Sequence, residues 1–419
     1  MRIWAKLKAD DLLFHSAILF VSMLAVHVCN VLFQMVVGRV LPESEYALLA
    51  AFLGALTIIQ RPLSTLRTAV CHYGSLLEQE SRRGDIKRLL RKWLLLTSMP
   101  AVAVGLAVIL FSEILAGYFH LDRTAPVIVA GALFPALCWL PVMGGATQGL
   151  QMFVWSSVAA FVGALIRLLL GAGFTMVLYD ACGWAMLGHG LGIYVTVGVL
   201  FTGLWLALHG RETSKIPLPS MRFYLFKSFC VLAAYAILLT ADVVLVKHFL
   251  PHDFEFAKAA TLGRMVVMLP GAVVAAMFPK VTSKGTLSRR QKTLFMRSFG
   301  YTAVFVVVSV AACFLWPGLL ARIMFGIVDA SPYLKQMIGA MAVVMAVNAL
   351  LNVVVQFLLA QRRFKSCMAV VVFASVYIAA VQLLHTNAWQ ITVIAGVCNL
   401  GALGLGFAAV ACIKPQPDG

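Results

Sequence analysis

Residues Leu12 to Val37 read LLFHSAILFVSMLAVHVCNVLFQMVV. The run holds no Asp, Glu, Lys or Arg, and an apolar stretch of about 18 residues or more is long enough to cross a bilayer as a helix. Arg2, Lys6 and Lys8 precede it, as basic residues precede the core of a secretory signal, but the run is too long for such a core. It is read as a first spanning helix. Similar blocks recur along the 419 residues, of which 62% are apolar and 12% charged, with mean hydropathy +0.95. A soluble domain carries about twice that charge, and no polar stretch is long enough for a separate soluble domain.

Working outward, the apolar blocks predict twelve transmembrane helices at about 12–37, 46–70, 93–116, 125–149, 152–178, 184–208, 224–250, 256–281, 299–322, 332–360, 366–384 and 389–412. The chain is then an all-α integral membrane protein. It has a cytoplasmic N-terminus (1–11), an N-lobe of six helices (12–208), a cytoplasmic linker (209–223), a C-lobe of six helices (224–412) and a cytoplasmic tail (413–419).

The charges test this count. The formal charge of +17 does not point to nucleic acid, because the basic residues sit in short clusters between apolar blocks. One set of alternate loops holds Arg82, Arg83, Lys87, Arg88, Arg91 and Lys92, then Arg211, Lys215 and Arg222. It continues with Lys280, Lys284, Arg289, Arg290, Lys292 and Arg297, then Arg362, Arg363 and Lys365. The other set holds Arg39, Arg123 and Lys335 beside Glu43, Glu45, Asp122, Asp180, Asp253, Glu255 and Asp329. Basic loops face the cytoplasm, so both termini are expected inside. Adding or removing one helix scrambles the alternation.

A weak repeat relates the halves. Pro42 with Glu45-Tyr46-Ala47 is echoed about 210 residues later by Pro251 with Glu255-Phe256-Ala257, and Gln151-Met152-Phe153 by Gln361-Arg362-Arg363-Phe364. Six spans per repeat give both halves one orientation, with an axis along the membrane normal, as in transporters whose site lies between parallel repeats.

Charge inside a membrane is expensive, about 2.5–3.5 kcal/mol on insertion scales, and marks a cavity or a partner. Arg61 lies about 22 Å along its helix from the outer end, at 1.5 Å per residue, too deep to reach outward. Arg67 and Lys258 lie closer to the ends of their helices and can snorkel. Arg167 and Arg264 are deeper. Arg61, Arg167 and Arg264 either line a hydrated cavity or hold helices together through carbonyls. Two acids lie in the spans: Glu113 near an outer end, and Asp242 with Lys247 five residues on. Asp242 is either ion-paired with Lys247 or Lys258, as a latch, or a coupling site for a proton or cation. His27, Asn30 and Gln34 share one helix face, as do Asn348, Asn352 and Gln356. Each stripe lines water or bonds to a neighbouring helix. Pro62, Pro100, Pro135, Pro141, Pro270 and Pro279 interrupt predicted spans, as helices that bend around a cavity tolerate.

No catalytic constellation is present: no paired outer-leaflet carboxylates, no G-x-S-x-G, and no loop long enough to carry an active site. The nine cysteines form no CxxC, and Cys71-His72 has no partners at metal spacing. Neither a metal nor another cofactor is expected.

Around the seventh and eighth spans the residues resemble a known family. Ala241-Asp242-Val243-Val244-Leu245-Val246-Lys247-His248-Phe249-Leu250-Pro251 is similar to the seventh helix of polysaccharide-export flippases. Ala259-Ala260-Thr261-Leu262-Gly263-Arg264, Leu269-Pro270-Gly271-Ala272 and Phe278-Pro279-Lys280-Val281 follow in family order. Gly38-Arg39-Val40-Leu41-Pro42, Gln148-Gly149-Leu150-Gln151-Met152-Phe153 and Gly183-Trp184-Ala185-Met186-Leu187-Gly188 match as well. These flippases belong to the multidrug/oligosaccharidyl-lipid/polysaccharide (MOP) superfamily. The chain departs from them at Phe254-Glu255-Phe256-Ala257-Lys258, where the family has a small Ala-Gly-x-Tyr run.

The resemblance implies a V-shaped, MATE-like transporter of two pseudo-symmetric six-helix lobes in the bacterial cytoplasmic (inner) membrane. It implies translocation of a lipid-linked oligosaccharide or polysaccharide precursor by alternating access; a proton or sodium ion is the coupling candidate, and the residues do not specify the driving ion. The partners implied are that glycan, membrane lipid and glycan-assembly proteins. Arg61, Arg167, Arg264, Asn30, Gln34, Asn348, Asn352 and Gln356 are the cavity candidates. Asp242, Lys247 and Lys258 are the coupling or latch candidates. The alternatives are a MATE-like drug antiporter, which calls for acids in the cavity where this chain has cations, and a non-transporting scaffold of a glycan-assembly complex. A major-facilitator carrier is disfavoured because the 78–92 loop lacks that family's signature.

Overall fold

The computed structural model describes residues 11–121, 123–178, 181–211, 222–268 and 289–412. Every regular element among these residues is helical. Lipid offers the backbone no hydrogen bonds, so a spanning segment must satisfy its own, and a helix does so within one segment.

The first half comprises α1 (Asp11–Val40), α2 (Glu43–Gln79), α3 (Arg83–Leu110), α4 (Ser112–Tyr118), α5 (Ala125–Gly149), α6 (Phe153–Ile166), α7 (Gly173–Leu178) and α8 (Cys182–Leu208). A π-helical turn, Arg167–Ala172, joins α6 to α7. The second half comprises α9 (Arg222–Phe249), α10 (Phe254–Met268), α11 (Arg289–Leu315), α12 (Pro317–Phe325), α13 (Pro332–Ala360), α14 (Phe364–Leu383) and α15 (Ala388–Ala411).

Among the described residues, 11 helices are long and apolar enough to cross a membrane, with Phe153–Leu178 counted as one. This is a multi-pass membrane protein. The remaining predicted span is the eighth. Its described part, α10, has 15 residues, and the predicted continuation to 281, with Pro270 and Pro279, lies outside the described residues. Pro62, Pro100, Pro135 and Pro141 lie inside continuous helices, so those interruptions are local. The predicted third and ninth spans each divide, at Phe111 and at Trp316. Pro317 cannot continue the hydrogen-bond ladder and instead begins α12.

The helices form two units. One takes the described residues up to Glu45 and from Leu63 to Leu225; the other takes Tyr46–Pro62 and the described residues from Phe226 onward. The second unit therefore includes the first part of α2, which a division into successive six-helix halves assigns to the N-lobe. The local reason is small-residue packing. A Cβ on Gly54 would lie 2.7 Å from a Val243 methyl and 3.2 Å from the Thr240 carbonyl oxygen, and the Thr240 hydroxyl donates to the Gly54 carbonyl at 3.3 Å. In the first unit the π-helical turn and α8 come equally close: a Cβ on Gly188 would fall 2.1 Å from Gly171 Cα.

Four helix ends close in the same way, at Ser81, His120, Gln151 and Arg362. Gln151 and Arg362 both adopt φ 55°. After α5, Gln151 N–H bonds to Gln148 and Met152 N–H to Thr147. After α13, Arg362 N–H bonds to Leu359 and Arg363 N–H to Leu358. Both are Schellman closures around a left-handed residue. Aligned on this shared closure, Gln151 falls on Arg362 and Phe153 on Phe364, one residue out of the register suggested by matching Gln151 to Gln361.

Candidate substrate and coupling sites

In the first unit the π-helical turn starts at Arg167. One extra residue per turn widens the helix locally and re-aims side chains, and such turns recur at functional sites. Arg167 Nη1 donates to Asn30 Oδ1 at 3.1 Å, and its guanidinium carbon lies 4.3 Å from the Phe33 ring centroid. Both partners come from α1, three residues apart on one face. Arg167 Nε and the buried Nδ1 of His189 have no hydrogen-bond partner, and the two side chains lie within electrostatic reach of each other. Asn30 and Gln34 are half-buried on the same helix face. The structure therefore brings Asn30 and Arg167 together. It adds Phe33 and His189, which sequence spacing alone did not connect to them.

In the second unit Arg264, on α10, pairs with Asp242, on α9. The Asp242 side chain is 4% exposed and that of Arg264 17%. The sequence offered Lys247 or Lys258 as the partner, and the geometry gives Arg264 instead. Lys247 is five residues along the helix, about 140° round its axis at 100° per residue, and its Nζ sits 5.9 Å from the Phe254 ring centroid. Lys258 is buried on α10. Separating a buried pair by removing one partner costs about 3–5 kcal/mol, because the remaining charge is left uncompensated.

Around this pair lie hydroxyls that the sequence did not single out. Tyr46 donates to Thr261 at 2.9 Å, one turn before Arg264. Tyr377, on α14, is buried, lies within electrostatic reach of Asp242 and Arg264, and its hydroxyl has no partner. A lone tyrosine in an apolar span was the available signal.

The polar stripe of α13 is mostly a helix contact. Asn348 is fully buried, accepts from the Tyr235 hydroxyl at 2.8 Å and donates to Asn399 at 2.9 Å. Asn399 donates in turn to the Leu238 carbonyl at 3.2 Å. This chain ties α9, α13 and α15 together, the second of the two roles expected for the stripe. Asn352 is buried with Oδ1 unpartnered, and Gln356 is half-buried. Arg61, half-buried on α2, lies within electrostatic reach of Tyr235.

The glutamate and aspartate preceding or opening α10 have structural partners. Asp253 accepts from the α10 backbone at Phe256, at 3.2 Å, and from the Tyr333 hydroxyl. Glu255 accepts from Ser331 at 2.7 Å, and Ser331 caps α13 by accepting from Leu334 N–H at 3.0 Å. Among the described residues no group of His, Cys, Asp and Glu is arranged to hold a metal ion.

No family model matches the chain, and no curated protein matches it in sequence. Solved structures do match in fold. An inward-facing multidrug resistance MATE transporter of the MOP superfamily aligns with TM-score 0.69 and 12% identity, over 93% of this chain and 95% of that one. The lipid II flippase MurJ, in an inward closed conformation, aligns with TM-score 0.67 and 11% identity, over 97% and 88%. A MOP superfamily transporter from Pyrococcus furiosus, described as having a binding pocket of reverse polarity, aligns with TM-score 0.63 and 15% identity, over 96% and 95%. The chain has the all-helical fold that these MOP superfamily transporters share.

Proposed function

We propose that the protein is a flippase. It moves a lipid-linked oligosaccharide or polysaccharide precursor across the bacterial cytoplasmic membrane by alternating access, and transport rather than catalysis is its activity. The observation that carries this reading is Arg264, a guanidinium partly exposed within a membrane protein. Membrane-embedded cations persist where they meet an anion, and a polyprenyl pyrophosphate presents one to which a guanidinium can bind through two oxygens at once. Arg167 supplies a second such group in the first unit, and Arg61 a third in the second unit. The fold is one in which a lipid II flippase is built, which supports a lipid-linked substrate.

A small-molecule antiporter is the second reading, favoured by the likeness to MATE transporters. It calls for carboxylates free to meet a cationic drug, and Asp242, 4% exposed, is less accessible than its partner Arg264 at 17%.

Reconstitution separates the two. Proteoliposomes holding the full chain and a fluorescent polyprenyl pyrophosphoryl disaccharide should move the label between leaflets. Arg61→Ala should slow that movement at least tenfold while the protein still accumulates, and Arg264→Ala, which also strands Asp242 and lowers abundance, should slow it at least tenfold per molecule of protein. Label movement no faster than in empty vesicles, together with saturable uptake of a cationic dye, would establish the antiporter reading.

A further inference from the structure

The contact between Arg264 and Asp242 is incomplete on both sides. A guanidinium can engage a carboxylate through two parallel hydrogen bonds. Here Nη2 donates to Oδ1, while Arg264 Nε is buried without a partner and Asp242 Oδ2 has no side-chain donor. The unpartnered hydroxyl of Tyr377 stands within electrostatic reach of both. Of the pair, Arg264 is the more exposed, 17% against 4%, so an anion arriving from outside this core meets the guanidinium before the carboxylate.

We infer that Asp242 is an internal competitor for Arg264: an arriving pyrophosphate takes the guanidinium, and the hydroxyl of Tyr377 receives the released carboxylate. The inference rests on the reading of Arg264 as an anion-binding residue and adds how that site lets its ligand go. A carrier must bind well enough to load and weakly enough to unload. A guanidinium with no internal anion would hold pyrophosphate in a low-dielectric setting and release it slowly. A carboxylate on the neighbouring helix takes the guanidinium back and sets the affinity. Tyr377 lowers the cost of the exchange by giving the displaced carboxylate a side-chain donor in place of Arg264.

The test uses the full chain in nanodiscs and measures binding of farnesyl pyrophosphate by calorimetry, with inorganic pyrophosphate and farnesol as half-probes. Asp242→Asn should bind farnesyl pyrophosphate tighter by roughly tenfold, within the usual span of coupling between two groups. Tyr377→Phe should bind it severalfold more weakly with its melting temperature unchanged, since it removes only an unpartnered hydroxyl. Arg264→Gln should lose the binding. Inorganic pyrophosphate should rank the variants in the same order, and farnesol should not rank them. Equal or weaker binding by Asp242→Asn, with Arg264→Gln still deficient, overturns the competition and leaves the anion site standing. Undiminished binding by Arg264→Gln overturns the anion-site reading itself. If Asp242→Asn does not accumulate, Tyr377→Phe decides: weaker binding supports the exchange and unchanged binding overturns it. A ranking that farnesol reproduces places the effect on the lipid chain and also overturns it.

Discussion

Arg167 and Asn30, 137 positions apart in sequence, meet at 3.1 Å where α6 gives way to a π-helical turn. From that turn the Arg167 side chain reaches α1, where its guanidinium carbon lies 4.3 Å from the Phe33 ring centroid. If Arg167 holds substrate, Asn30 orients it. Arg167→Ala should then abolish transport per molecule at near-normal abundance. Asn30→Ala should reduce it severalfold, and Asn30→Asp, which adds a competing charge, should reduce it further. Transport divided by immunoblot signal is the measure. A fall in abundance with activity per molecule unchanged would assign both residues to structure.

The alternating charge of the loops predicts a topology. Single cysteines introduced in a cysteine-free background at 251–255 and 385–388 should react with an impermeant maleimide applied from outside. Those at 82–92 and 284–297 should react only after permeabilisation. Outside labelling at 284–297 would remove the basis for twelve spans, because the basic loops alternate only with that number.

Much of the fold is legible in the apolar blocks, since each crossing must be helical in lipid and basic loops orient it. Partner choice is less legible. Arg264 is 22 residues from Asp242, across a helical hairpin, and the spacing that joins them depends on how both helices are rotated. Lys247 is nearer in sequence, but five residues carry it round to another face of α9. Asn399 and Tyr235 each stand alone in an apolar span, and only the packing of α9, α13 and α15 reveals that Asn348 joins them. The π-helical turn at Arg167 has no signal in residue type. Glu255 and Asp253 read as outer-loop charges, whereas the structure gives them hydrogen-bonding roles at the starts of α10 and α13.

The Asn348–Asn399 bond predicts a loss of stability. Asn399→Ala leaves the buried Asn348 amide without its acceptor and removes a donor to the Leu238 carbonyl. An orphaned buried polar group costs about 1–3 kcal/mol, and hydrogen bonds between membrane helices measure about 0.6–2 kcal/mol. Asn399→Ala should therefore lower the melting temperature in nanodiscs by several degrees. Asn348→Ala should do the same, and the double variant should lose less than the sum, since the two share one bond. Additive losses would show that the two residues act separately.

Glu255 is where the chain departs from the flippase pattern it otherwise resembles, and its position predicts a consequence for stability rather than for substrate. Its Oε2 accepts from Ser331, and the same Ser331 oxygen accepts from the Leu334 amide and so closes the first turn of α13. One hydroxyl thus links the start of α10 to the start of α13, and Asp253 makes a parallel link through Tyr333. Neutralising the carboxylate while keeping its oxygen should preserve the link, so Glu255→Gln should melt within about 0.5 kcal/mol of the native protein, as a substitution that breaks no contact does. Glu255→Ala removes the acceptor, and Ser331→Ala removes both the donor and the cap, a loss of about 0.5–2 kcal/mol from the cap alone. If the link is real, the Glu255→Ala/Ser331→Ala double variant should be no less stable than Ser331→Ala, because the partner is already gone. The coupling in that cycle should come to about 0.5–3 kcal/mol, the range for residues in contact. Transport by Glu255→Gln should be unchanged. Altered substrate choice by Glu255→Gln with stability intact would instead place this carboxylate in recognition.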